Sequence, residues 1–292
     1  MKAQDYSLLL CTNGAPEGWP ALHYGVWLAG QLQLSVTLLG IVEEGAREPV
    51  VRQVLEATTG ELEATDVPYT TRVRPGRARR VIVAEAVPEE HLVVLGSMGR
   101  SPLRRWLRGR AFRRMMSDLP VPFIYTAAAH RRLRRILVST GALDHAASAE
   151  CWGVELARRV GAALTVLHVV EPARFDYPTT ERLEAHWQDL LTTDTPQARR
   201  LRALLERAEA EGVDAELEVR HGSVTHEIVA QARAEPYDLI VMGSRYSSQS
   251  LRSQYLPDVA ARVLETLSRP VLVVRAGQWC ALAERGLEDD KY

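Results

Sequence analysis

Short apolar runs separated by longer mixed stretches set the rhythm of this chain. Leu8–Thr12 (LLLCT), Val36–Glu43 (VTLLGIVE), Leu92–Ser97 (LVVLGS) and Pro122–Tyr125 (PFIY) are four to eight residues long, rich in Val, Ile and Leu, and barely alternate. Such runs predict strands buried on both faces of a parallel sheet. Between comparable runs in the second half lie 146–160 and 196–211, where apolar residues recur at spacings of three and four, as in helices with one buried face. Asp144 is placed to cap the first of these helices and Gly161 to close it.

The runs repeat. Leu8–Thr12 returns as Ile136–Thr140 (ILVST), and Val36–Glu43 as Leu164–Glu171 (LTVLHVVE), both at an offset of 128. Thr70–Gly76 (TTRVRPG) returns as Glu216–Gly222 (ELEVRHG) at 146, Leu92–Ser97 as Leu239–Ser244 (LIVMGS) at 147, and Pro122–Tyr125 as Pro270–Val273 (PVLV) at 148. Matches in one order with a single jump in offset mark a duplicated unit whose second copy carries an insertion near 172–196. Strand and helix alternating twice over predict two tandem doubly wound α/β domains, each a five-stranded parallel sheet flanked by helices. The expected divisions are 1–129, 133–276 and a tail over 277–292, with a short polar junction at His130–Arg135.

Composition narrows the classes. At 46% hydrophobic and 25% charged residues the chain is of ordinary globular make-up, and a net charge of −1 gives no bulk field toward nucleic acid or membrane. No apolar run approaches the ~18 residues of a membrane span, and the first residues lack a secretory leader's pattern. Three dispersed cysteines (Cys11, Cys151, Cys280) suggest free thiols. The expectation is a cytoplasmic protein. Of 36 basic residues only Lys2 and Lys291 are lysine, so a phosphate contact must come from arginine or the backbone.

In open parallel sheets ligands bind beyond the strands' carboxyl ends, where the winding direction reverses. After the fourth strand of the first copy stands Gly96-Ser97-Met98-Gly99, and ten residues past Gly99 comes Gly109-Arg110 at the head of a helix expected over Ala111–Leu119. Glycines allow close backbone approach to an anion, and a helix start offers free N–H groups. A tight turn and a helix entry would need the same glycines. After the first strand comes Cys11-Thr12-Asn13-Gly14.

On these residues the chain resembles the universal stress proteins in a tandem two-domain form. ATP-binding members of that family carry G-x2-G-x9-G-[ST] after the fourth strand and an acidic residue just after the first. The resemblance spans both halves and includes the second-strand run Leu167–Pro172 (LHVVEP). It implies a stress-response regulatory module that binds ATP or another adenine nucleotide in its N-terminal domain, with Mg2+ present only as the nucleotide's counter-ion. The adenine and ribose would lie over Thr12, Asn13 and Ile41. The phosphates would rest on N–H groups at Gly99, Gly109 and Arg110, with Gly96 shaping the turn. Single-domain members commonly pair through their last strands, which implies an intrachain pseudo-dimer here, with Phe123–Tyr125 against Val271–Val274.

Two positions depart from the family pattern. Arg110 stands where a Ser or Thr hydroxyl belongs, so its guanidinium either binds phosphate bidentately or fills the site. Asn13 replaces the acid and keeps only a carbonyl acceptor. The second copy has lost the motif: Tyr246 stands where the second glycine belongs, the spacing then falls on Leu256-Pro257, and Gly141 occupies the acidic position. It is expected to be a non-binding partner.

Other features read as structural. Seven arginines over Arg100–Arg114, with Trp106 and Phe112 among them, fit a solvated face better than a track for single-stranded nucleic acid, because the net charge is not basic. His221 and His226 are five apart, where two ligands on one helical face want four. Cys11 reads as a buried thiol. There is no Gly-x-Ser-x-Gly elbow, no phosphate-loop lysine and no His-Glu-x-x-His. Catalysis beyond weak ATP hydrolysis is not expected; a stress protein that recognises a partner or another ligand without nucleotide is the alternative.

Overall fold

The run Ser7–Thr12 forms strand β1, and all six of its residues are buried. In the computed structural model, which describes residues 6–96, 118–143, 146–171, 187–244, 259–278, 280 and 282, β1 pairs parallel on one side with β2 (Ser35–Val42) and on the other with β4 (His91–Leu95). Outside β2 lies β3 (Tyr69–Pro75), and outside β4 lies β5 (Phe123–Tyr125), all parallel. The order β3-β2-β1-β4-β5 puts the reversal of winding between β1 and β4, the crevice where doubly wound sheets take ligands. Helices α1 (Trp19–Leu32), α2 (Glu48–Glu63) and α3 (Ala78–Glu85) connect these strands.

The second copy repeats the plan. Its central strand β6 (Arg135–Thr140) lies between β7 (Ala163–Val170) and β9 (Leu239–Ser244), with β8 (Ala215–His221) outside β7 and β10 (Val271–Arg275) outside β9, all parallel. The described helices are α4 (Ala147–Val160), α5 (Pro196–Ala210), α6 (Val224–Ala234) and α7 (Val259–Thr266). The chain divides into two compact units, 132–277 and 1–131 with 278–292. Cys280 and Leu282, in the stretch set apart as a tail by sequence, are buried.

Gly161 ends α4 in the left-handed conformation at φ 63°, as its place in the sequence predicts. Asp144 lies outside the described residues, and Ala146, at the N-cap, offers no side-chain cap. Thr195 instead caps α5, its hydroxyl accepting from the Ala198 N–H at 3.2 Å with Pro196 at the first helical position. Within the insertion, Trp187–Thr192 is a 3-10 helix, tied to α5 by Arg202, which donates to the Leu191 and Thr193 carbonyls at 2.6 and 2.9 Å.

Two strands differ from the doubly buried pattern. β3 and β8 are edge strands, mostly exposed or half-buried, which is why Thr, Arg and Glu occupy them. Conversely, a repeated feature joins helix to sheet in both copies. Gly25 of α1 lies over Leu10, and Gly153 of α4, at the same offset of 128, lies over Val138, its counterpart. A side chain at either glycine would collide with the strand beneath.

Candidate functional site at the strand ends of the first domain

Thr12, Asn13, Ile41 and Gly96 come together at the carboxyl ends of β1, β2 and β4. Thr12 pairs with Gly40 of β2, while Gly96 lies two residues past Val94, the partner of Leu10 on β4. The Thr12 hydroxyl accepts from the Gly14 N–H at 3.1 Å, so it shapes the turn that leaves β1. Ile41 is fully buried near the end of β2. Gly96 has a reason of its own to be glycine: a Cβ there would lie 2.7 Å from Ala21 Cβ and 3.2 Å from the Gly18 backbone. Its close approach is to the head of α1. Gly99, Gly109 and Arg110, assigned to phosphate, lie outside the described residues, as do Arg100–Arg114, Tyr246 and Leu256-Pro257.

Asn13 is held from both ends of its amide. Its Oδ1 accepts from the Ala15 N–H at 3.2 Å, and its Nδ2 donates to Glu43 Oε2 at 3.2 Å. The other carboxylate oxygen of Glu43 accepts from the Ala78 N–H, the first of α3, at 3.1 Å. Arg77, at that helix's N-cap, gives no side-chain cap, so Glu43 supplies one from the end of β2, where the helix dipole favours an anion. Sequence reasoning missed Glu43. Its only signal was its place at the end of a repeated run, since the link to Asn13 needs β1 and β2 to be neighbours.

In the second copy a polar network stands at the corresponding strand ends. The Thr140 hydroxyl accepts from the Ala142 N–H at 2.8 Å, repeating the turn of the first copy, and donates to the buried Glu150 carboxylate. Glu150 Oε2 accepts from Arg200 Nε and Nη2 at 3.2 and 3.1 Å. His168, counterpart of Gly40, donates from Nδ1 to the Thr140 carbonyl at 3.1 Å. Burial holds the His168 imidazole below its ordinary pKa of 6.5, against smaller opposing pulls from that carbonyl and from Glu150.

Other expectations meet plain outcomes. Cys11 is buried and its thiol is pushed far above its ordinary pKa, chiefly by burial, so it is not poised to react. His226 meets Glu227 at 2.8 Å, and among the described residues no cluster of His, Cys, Asp and Glu is placed to hold a metal ion. At the junction, the Asp238 carboxylate accepts from the Arg134 and Arg135 N–H groups at 2.8 and 3.2 Å, and Arg135 pairs with Glu235 at 2.8 Å. No described helix is long and apolar enough to cross a membrane.

Two doubly wound parallel sheets, each with a polar loop at the reversal point, define an α/β protein. Comparison with known proteins specifies the family. The universal stress protein family profile matches residues 132–275. Universal stress protein YxiE of Bacillus subtilis is 32% identical over 149 residues, which cover 48% of this chain and 98% of that protein. Universal stress protein MJ0531 of Methanocaldococcus jannaschii is 30% identical over 146 residues, covering 49% of this chain and 82% of that one. The crystal structure of a universal stress protein from Archaeoglobus fulgidus shares the fold, with a TM-score of 0.70 at 19% identity over 94% of this chain and 100% of the other. The chain belongs to the universal stress protein family.

Proposed function

We propose that this universal stress protein binds ATP or another adenine nucleotide in its first domain, while the second domain is a non-binding partner. The observation that carries the reading is the spacing of Gly96, Gly99 and Gly109 in a chain whose family is established. The described part of the site fits such a ligand. The Asn13 amide and the Glu43 carboxylate offer hydrogen-bonding groups at the strand ends suited to the hydroxyls and amine of a nucleoside. The phosphates would rest on the N–H groups of Gly99, Gly109 and Arg110, where a helix start favours anions. In the second copy Tyr246 replaces a motif glycine.

Titration calorimetry with the full chain is the test. One nucleotide per chain is expected, and Gly109→Val should abolish binding by placing a β-branched side chain where a phosphate approaches. Two equivalent sites, or binding untouched by that change, would overturn the reading.

A further inference from the structure

We propose that Asn13 and Glu43 work as one unit, in which the negative charge of the first domain's strand-end site resides on Glu43 and Glu43 positions Asn13 for the ligand. The inference rests on the nucleotide reading for its ligand, but not for the pairing itself.

The geometry distributes the roles. Asn13 has one acceptor and one donor end, and both are engaged, Oδ1 by the Ala15 N–H and Nδ2 by Glu43. This fixes which way the amide faces, a choice an isolated asparagine would leave open. Glu43 accepts from that amide through Oε2 and from the α3 N–H through Oε1, so one carboxylate joins the loop after β1 to the head of α3. Its carboxylate lies at the N-terminus of α3, the positive end of that helix's dipole. The second copy lacks the amide. Glu171, at the same offset of 128, is exposed, and Gly141 stands in the place of Asn13.

The arrangement makes a sharp electrostatic demand. The pair tolerates one negative charge, since the contact of 3.2 Å is a donor meeting a carboxylate. An aspartate in place of Asn13 would set two carboxylates in contact, and like charges so close cannot both ionise without penalty. Restoring an acid there should therefore damage the site unless Glu43 is neutralised at the same time. Exchanging the two chemistries, with Asn13→Asp and Glu43→Gln together, preserves the three hydrogen bonds named above. The introduced carboxylate would accept from the Ala15 N–H and from the introduced amide, whose carbonyl would still accept from the Ala78 N–H.

The experiment is a double-mutant cycle on the full chain with Asn13→Asp, Glu43→Gln and both together. Thermal denaturation without ligand at neutral pH should show Asn13→Asp lowering the melting temperature by about 3 °C or more, with the double variant recovering most of the loss. Calorimetry with ATP should show Asn13→Asp weakening binding at least tenfold and the double variant returning to within about threefold of the starting protein. Additive effects in the denaturation cycle would overturn the pairing. Coupling in denaturation with no recovery of ATP binding would overturn the positioning role. If the unaltered protein binds no nucleotide, the proposed function falls, and the denaturation cycle still decides whether the two residues act as a unit.

Discussion

The two sets of strand ends are built on one backbone plan and filled with opposite chemistry. In the first domain, Leu22, Gly40 and Val54 lie where the second domain has Glu150, His168 and Arg200, at the offsets of 128 and 146 that relate the copies. Both loops after the central strand turn on the same device, a threonine hydroxyl accepting the N–H two residues on. Beyond that turn they diverge. The first domain uses one carboxylate, Glu43, to hold a loop against a helix head, and keeps glycine at 40, where a side chain would meet Leu55 and Val51 of α2. The second closes its strand ends with an internal network of hydroxyl, carboxylate, guanidinium and imidazole. Duplication thus leaves the scaffold intact while the space above it passes from apolar packing to a satisfied ion pair.

Breaking that network should give the largest effect. Glu150 is 7% exposed and Arg200 24%, so Glu150→Ala removes the acceptor of two hydrogen bonds from a partly buried guanidinium. Glu150→Ala should cost about 3 kcal/mol in urea denaturation of the full chain, the low end for a buried pair because Arg200 keeps some access to water. Replacing both, as Glu150→Leu with Arg200→Met, should cost much less, since neither charge then has to be held out of water. A loss under about 1 kcal/mol for Glu150→Ala would mean the pair is a surface ornament and the contrast between domains is not electrostatic.

Much of this plan was legible in the sequence. The central strands announced themselves because a strand buried on both faces has no room for polar residues, so Leu8–Thr12 and Ile136–Thr140 read as continuous apolar runs. The edge strands were found only through the repeat, for half-exposed Thr70–Gly76 carries no apolar signature. The glycines of the helix–strand contact, Gly25 and Gly153, were visible at the repeat offset and went unread because glycine inside a helix looks like a defect until a strand is placed beneath it. The site was legible in part. Thr12 ends a strand and Asn13 and Gly96 follow strands, where ligands gather, but Glu43 lies 30 residues from Asn13 and Arg200 lies 50 from Glu150. Such pairs are created by the order of strands and by helix packing, which no local spacing encodes. Of Gly96 the motif gave the position and not the cause, which is the crossing of Gly18 and Ala21.

That crossing yields the next prediction. Gly96→Ala forces a methyl to within 2.7 Å of Ala21 Cβ and 3.2 Å of main-chain atoms of Gly18, neither of which is a flexible side-chain tip. The cost should be about 1–3 kcal/mol, as for other overpacked positions, read as a lower midpoint in chemical denaturation. Gly60 in α2 is the control, because a methyl there meets nothing within 4 Å. Gly60→Ala should stabilise by about 0.5–1 kcal/mol through helix propensity. If Gly96→Ala is as benign as Gly60→Ala, the glycine after β4 is retained for a ligand and not for the approach of α1.

The smallest effect separates the domains by proton linkage. His168 stands in the second domain where the first has Gly40, so acid should act on one set of strand ends and not the other. Its folded pKa is depressed, chiefly by burial, while the Thr140 carbonyl and Glu150 pull weakly the other way. The sign follows directly. As pH falls the unfolded chain takes up the proton first, so the stability tied to neutral His168 is complete above the ordinary value of 6.5 and drains away below it. Between pH 7 and 5.5 the loss is bounded by about 1.4 kcal/mol per pH unit below the unfolded pKa. His91 in the first domain is also depressed, chiefly by burial, and its Nδ1 accepts from the Val87 N–H at 3.0 Å, so it contributes a slope of the same sign. His168→Asn keeps a donor near the Nδ1 position for the Thr140 carbonyl and removes the titration. Urea midpoints measured at pH 7.5, 6.5 and 5.5 should therefore fall less steeply in this variant, with the residual slope belonging to His91. Equal slopes in the two proteins would show that the second domain's imidazole takes up its proton as easily folded as unfolded, and that its strand ends are more open to water than their burial implies.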